Sequence, residues 1–140
     1  MNNPDLKILI VEDDIFLIKV LEFILKKEGY QVTSCKDGLS AIERIPVLIP
    51  DLIITDIMLP FRSGLEIIDY SKGNFENIPI IAISSLAEEE SAIVEAFHLG
   101  ADDFISKPLD PSELLLRIKC LFAKMKHSIK PKDTDTNICA

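Results

Sequence analysis

A chain of 140 residues, 48% of them hydrophobic, is one domain's worth of sequence and can bury an aliphatic core without staples. Its formal net charge of −8 argues against a general affinity for nucleic-acid backbones or anionic membranes, which need Lys/Arg stripes. Three widely spaced cysteines, Cys35, Cys120 and Cys139, give neither a disulfide framework nor a zinc site and fit a reducing cytoplasm.

Met1 to Lys7 lacks a signal-peptide pattern, and no apolar run approaches the ~20 residues that span a bilayer. Five short apolar runs alternate with five amphipathic ones. After the first run, Ile8–Val11, a helix follows Asp14. In it Leu17, Val20, Leu21, Ile24 and Leu25 form one apolar stripe. Lys26 and Lys27 suit its C-terminal end, and Gly29 its left-handed cap. The second run, Gln31–Cys35, precedes a weaker helix from Asp37 to Ile45, ended by Pro46 and Pro50. The third, Leu52–Thr55, leads to a helix that starts at Ser63, with Glu66 at capping-box spacing, and ends near Gly73. The fourth, Ile80–Ile83, precedes a helix over Ala87–Leu99 that stops at Gly100; Glu88, Glu89 and Glu90 suit the dipole of its first turn. After the fifth, Asp103–Ile105, the start signal is clearest: Asp110 as cap, Pro111 at the first helical position, Glu113 behind them. That helix runs to Lys126. His127 to Ala140 is polar and reads as a flexible tail or the start of a linker, which places the domain at residues 1–126.

Fivefold alternation of strand and helix implies a parallel sheet with right-handed crossovers and helices on both faces. The Ile/Val runs are nearly continuous, as strands covered on both sides are. Cys35 and Cys120, in apolar surroundings, read as core or near-core, and Cys139 as an exposed tail residue. His98 and His127 lack metal-ligand spacing and read as surface side chains.

Polar residues collect where these runs end. Glu12 and Asp13 follow the first, Asp56 the third, Ser84 the fourth, and Lys107 comes just after the fifth. Carboxyl ends of parallel strands are where open α/β sheets bind ligands. Three crowded carboxylates repel one another unless a cation neutralises them. An oxygen-only donor set suits a hard ion such as Mg²⁺. Lys107 adds a positive charge and Ser84 a hydroxyl donor, the surroundings that phosphoryl transfer needs, with Asp56 as the nucleophile.

The motifs Ile-Leu-Ile-Val-Glu12-Asp13-Asp14, Asp56-Ile-Met-Leu-Pro60 with Gly64 following, Pro79-Ile-Ile-Ala-Ile-Ser84-Ser85 and Gly100-Ala-Asp-Asp-Phe104-Ile-Ser-Lys107-Pro108 occur in this order. Over Lys7 to Lys126 the chain resembles the receiver domains of bacterial two-component response regulators. The resemblance implies a flavodoxin-like (βα)5 three-layer sandwich with strand order 2-1-3-4-5. It implies Asp56 as phosphoacceptor, and Mg²⁺ held by Asp13, Asp56 and the Met58 backbone carbonyl, with Glu12 acting through water. Ser84 matches the switch hydroxyl, Phe104 the switch aromatic and Lys107 the family's lysine, with a cis bond to Pro108. The implied partners are a sensor histidine kinase or histidine phosphotransfer protein, a downstream protein target and a phosphorylation-dependent homodimer; neither nucleic acid nor membrane is contacted by this domain. Such a domain is no enzyme beyond its own phosphorylation and slow dephosphorylation. Phosphorylation would draw Ser84 inward, let Phe104 turn in and reshape the surface of the fourth helix, fifth strand and fifth helix. Met58 and Leu86 occupy the positions that influence hydrolysis in that family. Neither side chain can orient a water, so a long-lived phosphoryl state is expected.

Each of these residues has a plainer role available. Asp13 or Asp14 can cap the first helix, with Asp14 the better candidate. Asp56 can be a turn residue, Ser84 or Ser85 a cap, Lys107 a salt-bridge partner and Phe104 core. Their convergence on one sheet edge favours the joint reading. A flavin carrier should have a Ser/Thr/Gly-rich loop after the first strand, where the acidic triplet stands. An aspartate-nucleophile phosphatase should have an acid where Met58 is, and no P-loop motif is present. The alternative within the family is a fragment of a larger DNA-binding regulator or hybrid histidine kinase, since Glu113–Lys119 resembles the fifth helix of transcriptional regulators.

Overall fold

The computed structural model describes residues 6–85 and 90–129, the side chains of 126–129 excepted. The chain divides into two compact units, Met1–Pro108 and Leu109–Ala140. The first carries strands β1 (Lys7–Val11), β2 (Gln31–Cys35), β3 (Leu52–Asp56), β4 (Ile80–Ser85) and β5 (Asp103–Lys107). Its helices are α1 (Ile15–Lys27), α2 (Gly38–Leu48), α3 (Gly64–Asn74) and α4 (Glu90–Leu99). The second unit is helix α5, Pro111–Ile129.

All strand pairs are parallel, in the order β2-β1-β3-β4-β5. Together with the five helices this is the flavodoxin-like α/β arrangement. Central strands are buried along their length: Ile8 to Val11, Leu52 to Ile54 and Ile80 to Ile83 are all 0% exposed. Side chains alternate across a strand. Leu9, Val11, Ile53, Ile80 and Ala82 therefore share one face, where they join Ala41 and Ile45 of α2, Ile67 and Ile68 of α3 and Ala96 of α4. On α1, which packs beside β2, Ile18, Leu21 and Leu25 are buried.

Local chemistry sets the helix ends. The Asp14 carboxylate accepts from the amides of Phe16 (2.9 Å) and Leu17 (3.4 Å), leaving Asp13 outside the cap. Ser63 and Glu66 form a reciprocal capping box. In the second unit the amide of Ser112 donates to the Asp110 side chain (3.0 Å) and Pro111 opens the helix.

Three expectations need correction. Pro46 does not end α2; it sits inside the last turn, and the helix closes at Ile49, whose backbone is left-handed (φ 47°) and whose amide donates to Ile45 O at 2.8 Å. One lost amide hydrogen bond is tolerable that close to a terminus. The α1 stripe is also misassigned: Ile18 is buried and Val20 is 47% exposed. Nine of the thirteen α1 residues are apolar (Ile15, Phe16, Leu17, Ile18, Val20, Leu21, Phe23, Ile24 and Leu25), so spacing alone does not select its inner face. Finally, β3, β4 and β5 extend to Asp56, Ser85 and Lys107, so these polar residues are strand residues and do not merely follow strands. Residues 87–89 of the expected fourth helix lie outside the described residues. So do the tail 130–140, with Cys139, and the His127 side chain. His98 is exposed, Cys35 buried and Cys120 partly buried.

Candidate functional site

Asp56 is the last residue of β3, and Lys107 the last of β5. Glu12 and Asp13 follow β1, whose register with β3 pairs Val11 with Thr55. Parallel pairing in this register brings carboxyl ends to one edge, where Glu12, Asp13 and Asp56 each offer an oxygen within 4.8 Å of the other two. Glu12 is 0% exposed and Asp56 5%, whereas Asp13 is exposed.

Lys107 Nζ donates to Asp56 Oδ2 at 2.6 Å and reaches Glu12 Oε2 at 3.4 Å. It lies only 3.1 Å from Glu12 Oε1, yet the angle there is not that of a hydrogen bond, and that buried oxygen has no hydrogen-bond donor among the described residues. Backbone amides hold one oxygen of each buried carboxylate, and backbone bonds fix the two loops. The Asp14 amide donates to Glu12 Oε2 (3.0 Å) and the Met58 amide to Asp56 Oδ1 (3.0 Å). Glu12 N donates to Cys35 O, and Ile57 N to Ile83 O, each at 3.0 Å.

The electrostatics follow from this crowding. Burial raises the Glu12 carboxyl to about 7, and the charge of Asp56 adds to the shift, against the Asp14 amide and Lys107, which lower it. Burial also disfavours the Lys107 ammonium, but its hydrogen bond to Asp56 and the charges of Asp56 and Glu12 outweigh that, and its pKa rises. One ammonium faces three carboxylates. The site is therefore short of positive charge, and an orphaned buried oxygen and three carboxylates, with no His or Cys donor beside them among the described residues, fit a hard divalent cation such as Mg²⁺.

Ser84, 1% exposed, lies one residue past Ile83, the partner of Asp56 in the β3–β4 register. Among the described residues its hydroxyl makes one long contact, 3.4 Å to Ser85 O. Phe104 on β5 pairs with Ala82 and packs, half-buried, against the core. Met58 is 56% exposed, and Leu86 lies outside the described residues. The Lys107–Pro108 peptide is cis.

Residues 8–119 match the family model of the response regulator receiver domain. The chain belongs to this family. Among solved structures, this receiver domain is similar to a two-component response regulator from Clostridium difficile (26% identity, TM-score 0.81, covering 86% of this chain and 98% of that one). It is also similar to the receiver domain of a signal transduction histidine kinase from Syntrophus aciditrophicus (31%, 0.78, 96% and 99%). A third similar structure is the beryllofluoride-activated NtrC4 receiver domain dimer (30%, 0.78, 84% and 97%).

Several residues that shape the receiver site carry no chemistry that sequence reasoning could flag. A Cβ at Gly64 would lie 2.0 Å from Asp56 O, so only glycine lets α3 start against the end of β3. At Gly38 a Cβ would lie 1.8 Å from Arg62 O, and the Gly38 amide donates to Pro60 O, holding the β3–α3 loop against α2. Thr55, 0% exposed, donates its hydroxyl to Asp56 O at 2.9 Å. The spacing of Gly64 after Asp56 was the one available signal.

Proposed function

We propose that this receiver domain is the phosphoacceptor of a phosphorelay, with Asp56 taking a phosphoryl group from the histidine of a sensor kinase or phosphotransfer protein. The observation that carries the reading is Asp56 itself: a nearly buried carboxylate bonded to an ammonium and crowded by two further carboxylates at the sheet edge. An Asp56 oxygen attacks phosphorus in line, the P–N bond of the donor breaks, and its electron pair stays on the imidazole, which takes up a proton. Lys107, already bonded to Asp56, balances charge that grows on the phosphoryl oxygens, and the weakly bonded Ser84 hydroxyl is free to donate to them.

Mg²⁺ would be held by Asp13, Asp56 and the Met58 carbonyl, with Glu12 through water; when bound, it neutralises the phosphoryl oxygens. Phe104 and Ser84 form the switch: movement of the hydroxyl toward the phosphoryl group vacates space for the ring, which reshapes the surface read by a downstream protein or by a phosphorylated second copy. The only reaction assigned to the domain is its own phosphorylation and slow dephosphorylation. Residues 1–126 are assigned to the receiver and 127–140 to a tail or linker. Among the described residues no helix is long and apolar enough to cross a membrane, and we place the domain in the cytoplasm.

A second reading makes the domain part of a hybrid kinase or DNA-binding regulator. The Syntrophus aciditrophicus receiver, which belongs to a histidine kinase, favours the former by covering 96% of this chain.

Incubation with acetyl phosphate and Mg²⁺ tests the proposal by intact mass. The wild type should gain the mass of one phosphoryl group and Asp56→Asn should gain none; equal gain, or none in either, would refute it.

A further inference from the structure

We infer that the outer face of α1 is a self-association surface, on which two copies pack with their α1 helices antiparallel about a twofold axis near Val20. The face is unusually apolar for one turned to solvent. Phe16 is 83% exposed, Phe23 68% and Val20 47%. At i, i+4 and i+7 the three lie on one side of the helix, opposite the buried Ile18, Leu21 and Leu25. Single exposed apolar residues need no explanation, but three large ones in a row on one helix make a patch.

Charge identifies the occupant. Exposed Asp13 stands at the N-terminal end of the patch, and exposed Lys26 and Lys27 at its C-terminal end, where the Lys27 ammonium lies 5.9 Å from the centre of the Phe23 ring. Under an antiparallel twofold, residues equally far from the axis meet. Asp13 and Lys27 are each seven positions from Val20 and lie on the side of the patch. The acidic end of each copy therefore meets the basic end of the other, and Phe16, four positions from Val20, falls within one position of Phe23, three from it. A parallel arrangement would set acid against acid and base against base. Antiparallel packing also opposes the helix dipoles favourably. A surface complementary to itself in both apolar and charged parts is what an isologous interface requires, and a second copy of this chain is certain to carry the matching pattern.

So few side chains bury less than the roughly 800 Å² per partner of a standard interface, so the dimer should be weak and visible only at high concentration. It has a consequence that rests on the phosphoacceptor reading. Lys27 of the second copy would engage Asp13 and cover the mouth of the acidic site, so dimer formation and phosphoryl transfer would compete. The dimer itself does not depend on that reading.

Sedimentation equilibrium over a concentration series, with the unphosphorylated protein, tests the inference. The average mass should rise from the 15.7 kDa monomer toward twice that value. Phe23→Glu, a surface change that leaves the fold intact by circular dichroism, should raise the dissociation constant at least about tenfold. Lys26→Glu with Lys27→Glu should also raise it. Orientation is read by cross-linking in a Cys120→Ser, Cys139→Ser background. Copies carrying Phe16→Cys should form disulfides with copies carrying Phe23→Cys in preference to their own kind. A monomer at every concentration, a dimer indifferent to Phe23→Glu, or preferred Phe16→Cys self-pairing would each overturn it. So would a monomer in which Phe23→Glu slows only transfer from a histidine kinase, since the face would then belong to the kinase.

Discussion

Lys107 Nζ and Asp56 Oδ2 lie 2.6 Å apart although 51 residues of chain separate them. Each ends a parallel strand, and the strand between them, β4, is paired with both. The backbone thus delivers a cation to the carboxylate before any phosphoryl donor arrives. It also delivers Glu12 and Asp13, more negative charge than one ammonium can balance.

The first consequence is a stability that depends on pH through Glu12. Its carboxyl is raised from 4.5 to about 7 in the fold, first by burial and then by Asp56. A raised folded pKa means the fold binds the extra proton. The stabilisation is complete below 4.5 and is lost as pH rises through 7. Urea unfolding in chelator should show this contribution falling by on the order of 2–3 kcal/mol between pH 5 and 7.5. Glu12→Gln, which stays neutral, should lack it. A wild type and a Gln variant with parallel pH profiles would contradict the assignment.

Neighbouring aspartates should separate into different roles. Asp14 caps α1, so Asp14→Ala should lower stability by about 1 kcal/mol and change Mg²⁺ affinity by less than about twofold. Asp13, outside the cap and beside Glu12 and Asp56, should behave in the opposite way. Asp13→Asn should lower Mg²⁺ affinity at least about tenfold. The protein has no tryptophan, so calorimetry is the suitable readout. Equal effects of the two changes on Mg²⁺ would remove Asp13 from the metal site.

At Gly64 the constraint is steric. An alanine Cβ would sit 2.0 Å from Asp56 O and 2.8 Å from Ile57 Cα, both backbone atoms. Gly64→Ala should destabilise by about 1–3 kcal/mol or more and slow phosphoryl uptake by moving Asp56. Urea unfolding and intact mass after acetyl phosphate measure the two effects. Unchanged stability would mean that the start of α3 can yield.

The lifetime of the phosphoryl group should be governed by what stands beside it. Met58, 56% exposed, offers a thioether that cannot align an attacking water. The wild type should therefore dephosphorylate slowly, and Met58→Asn with Leu86→Asn, which can orient a water by hydrogen bonding, should shorten the lifetime by about tenfold, less than the roughly hundredfold or more of a positioned general base. Time-resolved phosphoprotein gels would show it; rapid loss in the wild type that ignores both changes would dismiss the idea.

Much of this was legible because chemistry and periodicity coincide. Continuous Ile and Val runs name buried parallel strands, and Asp110-Pro111 names a helix start without help from tertiary structure. Asp56 and Lys107 stood out because a charged residue at the end of an apolar run is conspicuous. Features fixed by three-dimensional packing were hidden. Val20 and Ile18 are both apolar, and only packing decides which one is buried. Pro46 ordinarily breaks a helix, but its cost depends on how near the terminus lies. The steric role of Gly38 beside Arg62 and the hydrogen bond from Thr55 to Asp56 O leave no periodic trace at all.

The central claim is that Asp56 carries the phosphoryl group, and borohydride reduction tests it most directly. An aspartyl phosphate is reduced to homoserine, so phosphorylated protein, reduced and digested, should yield a peptide with homoserine at position 56. Homoserine at Asp13 or at any other acid, or none despite a phosphoryl gain in mass, would contradict the account.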